Sequence, residues 1–231
     1  MKVEKEVALS LILVKSLPTP LASSVKITKR IYMKVLVASE YSGVVRNAFI
    51  KRGHDAWSCD LLPADDKSEY HYQEDVFKIL EKDWDLMIAH PPCTHIAVSG
   101  GRHFAKKIAD GRQKQGIDFF ISLAEAPIEK IAIENPISIM STVYQKPTQY
   151  IQPYQFGDPV SKKTCLWLKN LPKLKETNIV EPIKITNSNG KTYDKWWYET
   201  CSLPLSIRGK VRSKTFNGIA NAMAEQWGHN G

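Results

Sequence analysis

Short apolar runs, each followed by a polar turn and a stretch of helical composition, limit what this chain can fold into. Lys34–Ala38 is a clean strand, and the turn Ser39-Glu40-Tyr41-Ser42-Gly43 leads into a helix from Val44 to Arg52. A second strand is expected near His54 to Cys59, ending at Asp60, then a polar loop over 65–72 and a short helix over 76–82. Asp85–Ala89 is the next apolar run, and a helix from about Gly111 to Ala126 precedes another, Lys130–Glu134. Strand, helix, strand at this spacing predicts a parallel sheet with right-handed crossovers. The expected fold class is α/β, Rossmann-like, with a mostly parallel sheet. Such sheets take ligands outside the carboxyl ends of their strands, where the reactive residues of this sequence fall.

Beyond Pro136 the texture changes, because prolines 147, 153, 159, 172, 182 and 204 break the chain into short pieces. Thr164–Leu168 reads as a strand, Asn187-Ser188-Asn189-Gly190 as a turn, and Phe216–Trp227 as a closing helix. A chain of 231 residues fits one domain. The reading places that domain at 33–231, with a variable segment at about 169–214 and a disordered extension at 1–32. The apolar run from Val7 to Val14 in that extension falls well short of the roughly 20 residues that span a bilayer. A soluble, cytoplasmic, monomeric protein is therefore expected, with no membrane partner.

Charge is unevenly placed. Residues 1–32 carry six basic and two acidic groups, residues 33–156 carry 14 and 16, and residues 157–231 carry 12 and 6. A basic final third beside a near-neutral middle suits a polyanion, although lysines that merely solvate a surface would look the same. The cysteines at 59, 93, 165 and 201 form no CxxC pair, so neither zinc-finger spacing nor a disulfide framework is present.

Cys93 lies in Ala89-His90-Pro91-Pro92-Cys93-Thr94, directly after a strand. A proline-stiffened loop there holds a thiol towards a ligand crevice, and its thiolate fraction is a strong nucleophile. A buried structural cysteine would fit the same residues. A metal site using His90, Cys93, His95 and His103 would match no common spacing. Glu134-Asn135-Pro136 follows the next strand, where burial would keep a carboxyl protonated and able to donate. Alone, that segment is a turn.

Together these segments resemble the cytosine-C5 DNA methyltransferases, in the compact form often carried by bacterial viruses and related to restriction–modification enzymes. Trp84 to Thr94, with Ser99-Gly100 after it, corresponds to the nucleophile motif, and Glu134-Asn135-Pro136 to the family's Glu-Asn-Val segment. Ser39 to Arg46 takes the place of the cofactor loop. Phe156 to Trp167, with Lys162 and Lys163, takes the place of the basic motif, and Ala220-Asn221-Ala222-Met223 that of the closing motif. Departures are visible: Gly43 is the one glycine of the cofactor loop, lysines replace two arginines, and Ala220 replaces a glycine.

The resemblance implies a methyltransferase fold with a short carboxyl-terminal recognition region, S-adenosyl-L-methionine as cofactor and DNA as partner. It implies Cys93, Glu134, Asn135 and Lys162 as catalytic residues. Ser39, Glu40, Tyr41, Gly43, Asp60, Leu61, Asp75, Val76, Pro91 and Asn221 would bind the cofactor, with Asp60 on the ribose and Asp75 at the adenine. Ser99, Lys163, Arg208, Lys210 and Arg212 would contact the nucleic acid, with no metal. In the implied reaction Cys93 adds to cytosine C6, Glu134 serves N3, and C5 takes the methyl group from a base flipped out of the duplex. Gly100-Gly101 would hinge a closing loop. A binding protein that has lost catalysis, or a transferase acting on free pyrimidine nucleotides, would carry the same motifs.

Overall fold

A computed structural model describes residues 32–229. The extension expected over 1–32 lies, apart from Tyr32, outside the described residues. Seven strands form the main sheet: β1 (Lys34–Ala38), β2 (Asp55–Asp60), β3 (His71–Gln73), β4 (Leu86–Ala89), β5 (Lys130–Pro136), β6 (Gln149–Ile151) and β7 (Thr164–Lys169). Their order is β3-β2-β1-β4-β5-β7-β6. Neighbours from β3 through β5 are parallel, and β7 runs antiparallel to both β5 and β6. The fold is thus Rossmann-like α/β with a mostly parallel sheet. After β3 the chain returns past β1 to lay down β4, so the direction of winding reverses between β1 and β4. Such a reversal opens a crevice at the carboxyl ends of the two strands.

Successive side chains of a strand point to opposite faces, so both faces of a covered sheet must be apolar. Val35, Val37, Leu86 and Ile88 pack with α1 (Val44–Ile50) and with Met223 and Trp227 of the last helix. Leu36, Met87, Ile131 and Ile133 pack on the other face with Phe120 and Leu123 of the helix Arg112–Ala124. Phe120 meets Trp167 edge-on at 5.0 Å between ring centres, a favoured aromatic geometry. Each such buried side chain contributes about 1.5–3 kcal/mol of hydrophobic stabilisation before chain entropy is set against it.

In chain order the helices are α1, α2 (Phe104–Ala109), α3 (Arg112–Ala124), α4 (Met140–Val143), α5 (Lys195–Cys201), α6 (Leu205–Ser213) and α7 (Asn217–Trp227). The variable segment holds the hairpin β8 (Lys184–Thr186) and β9 (Thr192–Asp194), followed by α5 and α6. Asp194 caps α5 by accepting the Trp197 N–H at 3.2 Å. The structure shortens the helix expected over 76–82 to a 3₁₀ turn, Val76–Lys78. It also places Gly100 and Gly101 inside a 3₁₀ helix, Val98–His103, running into α2, so an ordered helix start stands where a hinge is expected. Among the described residues no helix is long and apolar enough to cross a membrane.

Candidate active site

Four parallel strands end side by side, and each delivers one component of the site. The register pairs Ala38 with both Cys59 and Ala89, and Ala89 with Ile133. The next residues, Ser39, Asp60, His90 and Glu134, therefore share one edge of the sheet. A cavity of about 140 Å³ opens there, lined among others by Ser39, Tyr41, Cys93, Glu134, Asn135 and Lys162. Sulfur and carboxyl thus face the same space.

The loop carrying Cys93 is fixed from several sides. Its first residue donates a backbone N–H to Ala38 O at 2.9 Å, and Ile96 and Ala97 donate to Cys93 O at 3.1 and 2.9 Å. Buried Asn135 donates Nδ2–H to Pro91 O at 2.7 Å, and Lys107 donates Nζ–H to Thr94 O at 2.6 Å. Proline at 91 and 92 removes two backbone donors and fixes φ, which suits a loop that must stay out of helix and sheet. Burial raises the Cys93 thiol pKa, and the Glu134 charge adds to the rise. Lys162 and Lys107 pull in the opposite direction without overcoming it.

Glu134 accepts from His90 Nδ1 at 3.1 Å through Oε2. Burial alone would push its carboxyl pKa up, but the His90 hydrogen bond, the Lys162 charge and His90 itself bring the net direction down. The sequence expectation of a carboxyl held protonated by burial is corrected accordingly: the His90 hydrogen bond and the Lys162 charge turn the direction of the shift downward. Lys162 is itself anchored, donating Nζ–H to Arg212 O at 2.9 Å and lying 5.8 and 5.7 Å from the ring centres of Trp196 and Phe216.

A second cavity of about 310 Å³ adjoins the first, with Ser39 and Pro92 lining both. Its other walls are Cys59, Asp60, Leu61, Glu74, Asp75, Val76, Phe77 and Phe119. Burial raises the Asp60 carboxyl pKa against the backbone N–H groups of Leu62 and Leu61 and the charge of His71. Asp75 accepts the Phe77 N–H at 3.0 Å and starts the 3₁₀ turn that presents Val76 and Phe77. Three acidic residues, Asp60, Asp75 and the Lys78-paired Glu74, beside apolar and aromatic walls suit a ligand with vicinal hydroxyls and a flat ring.

The two cavities together bring in Cys93, Glu134, Asn135, Lys162, Ser39, Glu40, Tyr41, Asp60, Leu61, Asp75, Val76 and Pro91. Glu40 is committed locally: its carboxylate accepts the Val45 and Arg46 N–H groups at 2.8 and 3.3 Å and closes the start of α1. Gly43 shapes the same turn at φ 71° and lines neither cavity. Asn221 also lines neither, since α7 buries Ala220, Ala222 and Met223 and leaves Asn221 on its exposed side. Ser99 and Lys163 are exposed outside the cavities.

Arg208 and Arg212 have partners within the chain, and Arg212 also lines the first cavity. Arg208 donates to Leu203 O and Cys201 O, and Arg212 donates to Thr200 Oγ1 at 2.9 Å and Trp197 O at 3.1 Å. Both guanidinium groups tie α6 to α5. Lys210 remains exposed, and its carbonyl accepts from Tyr41 Oη at 3.3 Å.

Sequence reasoning missed Lys107, Phe77, Phe119 and the role of His90. A lysine in an exposed-looking helix and phenylalanines in ordinary apolar positions carry no motif. His90 was legible only as an imidazole beside the Pro-Pro-Cys segment. Among the described residues no group of three or more His, Cys, Asp or Glu side chains could hold a metal ion.

The site is therefore a thiol and carboxylate crevice at the switch point of a doubly wound sheet, adjoining a nucleoside-sized pocket. No family model matches the chain, and no curated protein matches it. Solved structures to which the chain shows similarity include an E. coli prophage-encoded protein whose description reads "putative DNA modification methyltransferase", at 17% identity and a TM-score of 0.45. Another is the Entamoeba histolytica methyltransferase EhMeth, at 16% identity and a TM-score of 0.46. Each match covers 65% of this chain, but only 52% and 58% of the respective known chains.

Proposed function

We propose that this chain is an S-adenosylmethionine-dependent DNA methyltransferase that methylates C5 of a flipped cytosine. The observation carrying this reading is that Cys93 and Glu134, from neighbouring strand ends, line one cavity whose wall residues Ser39 and Pro92 also line a pocket furnished with Asp60 and Asp75. The second pocket fits the cofactor: its carboxylates suit ribose hydroxyls, and Phe77, Phe119, Leu61 and Val76 suit an adenine. S-adenosylmethionine supplies an electrophilic methyl group when bound there.

The residues then divide the proton work. With the Cys93 thiol pKa raised and the Glu134 pKa lowered, transfer of the thiol proton to the carboxylate is uphill by itself and is driven by its onward passage to cytosine N3 as sulfur adds to C6. The thiolate adds to cytosine C6, and protonated Glu134 supplies the hydrogen that N3 requires as its electron density rises. C5 becomes nucleophilic through that addition and takes the methyl group; the C5 proton then leaves to solvent, which restores the C5=C6 bond and expels the Cys93 thiolate, and N3 returns its proton through Glu134 to the sulfur. Lys162 offsets negative charge on both groups. Asn135 sets the loop through Pro91 and lines the same cavity as Cys93 and Glu134.

Tritium release from C5-labelled cytosine tests the reading, with DNA and dCMP offered as rival substrates. Release from DNA that is lost in a folded Cys93→Ser protein is expected. Release from dCMP alone, or from neither substrate while DNA still binds, would overturn it.

A further inference from the structure

His90 meets Glu134 because of strand register. Ala89 pairs with Ile133 in the parallel β4–β5 ladder, so the following residues stand opposite one another at the sheet edge. The His90 backbone is pinned by its N–H to Ala38 O, leaving the ring to be placed by side-chain bonding alone. The imidazole side chain is 9% exposed and the Glu134 side chain 14%. Nδ1 bonds the carboxylate, whereas Nε2 is buried without a hydrogen-bond partner. Nδ1 is thus committed to the carboxylate, and the ring itself lines the cavity.

We propose that His90 is a positioning residue for Glu134, anchoring Oε2 so that Oε1 is the oxygen offered to the ligand in the cavity. Among the described residues, Oε1 has no hydrogen-bond partner. Every other charged or titratable group bearing on Glu134 comes from a different direction: Lys162 ahead of β7, Cys93 on its loop and Cys165 within β7. None of those three is hydrogen-bonded to the carboxylate, so among the described residues His90 is the donor that holds it. The direction of the Glu134 shift agrees, with the His90 bond the largest of the influences opposing burial. The inference rests on the methyltransferase reading for its catalytic consequence, but the geometry of the pair can be tested without it.

The experiment follows the Glu134 carboxyl by ¹³C NMR titration in the full chain, with Glu134→Gln identifying the signal. His90→Leu keeps side-chain volume but removes the donor, and His90→Asn returns an N–H near the position of Nδ1. The Leu variant is expected to raise the Glu134 midpoint by about one pH unit or more, and the Asn variant to restore most of the shift. In methyl-transfer assays the Leu variant should lose about tenfold or more in kcat with little change in KM for DNA, and the Asn variant should recover much of it. An unmoved Glu134 midpoint in a folded Leu variant, or an Asn variant no better than Leu, would overturn the role of His90. A wild-type protein silent in methyl transfer would instead sink the reading of function, and the NMR arm alone would then decide the pairing.

Discussion

At the scale of single residues, the site is a balance of charges around one thiol. Burial and Glu134 hold Cys93 protonated, while Lys162 and Lys107 favour its thiolate. The other buried cysteines sit in harsher surroundings: burial and acidic neighbours push Cys59 up to about 12, and burial with Glu134 pushes Cys165 up to about 11. Iodoacetamide should therefore modify Cys93 well ahead of Cys59 and Cys165, with a pH midpoint above the ordinary thiol value of roughly 8.5. Removing a nearby negative charge makes the thiolate easier to form, so Glu134→Gln should lower that midpoint. Removing a positive one does the reverse, so Lys162→Met should raise it. Peptide mass spectrometry across a pH series gives the three midpoints. A Gln variant that shifts upward or not at all would refute this account of the thiol. His90 shows why sequence stops short here: its neighbour Glu134 lies 44 positions further along the chain, and only the β4–β5 register brings the two together.

At the scale of elements, what the sequence disclosed depended on length and burial. Strands β1, β4 and β5 are apolar on both faces because helices cover both, so their runs stand out as continuous hydrophobic segments. Strands β3, β6, β8 and β9 have three residues each, too few to establish a period. The turn into α1 was legible as a turn, but its working parts were not. Gly43 adopts φ 71°, and a Cβ there would collide with Arg46 Nη2 and stand 2.9 Å from Asp66 Oδ2. Arg46 is fully buried and pairs with Asp66 while donating to Ser58 Oγ at 2.7 Å, so it has little room to retreat. Gly43→Ala thus combines a left-handed backbone penalty with a clash. We expect it to cost about 2–4 kcal/mol in urea unfolding. Because Ser39 and Glu40 begin the same turn, S-adenosylmethionine binding should weaken with it in calorimetric titration. A variant as stable as the parent would show that the turn relaxes freely.

At the scale of the whole molecule, the excess positive charge of residues 157–231 was legible from composition, but which cations stay free was not. The variable segment is short, and the fold stitches its α6 end to the crevice through Tyr41 and Lys162, which bond the carbonyls of Lys210 and Arg212. An arginine whose donors go to Cys201 O, Leu203 O, Thr200 Oγ1 and Trp197 O is holding helices together, whereas an exposed lysine remains available to phosphate. The two kinds of residue should separate experimentally. DNA affinity measured against salt gives a slope that falls by about 0.9 for each phosphate contact removed. Lys163→Ala and Lys210→Ala should each flatten the slope by about that amount and leave thermal stability nearly unchanged, since both are surface truncations. Arg208→Ala and Arg212→Ala should leave the slope near the parent value while costing about 1.5–3 kcal/mol of stability, the usual worth of a hydrogen bond to a charged group. If the arginine variants flatten the slope and remain stable, those guanidinium groups leave their carbonyl partners for DNA, and the segment refolds on binding.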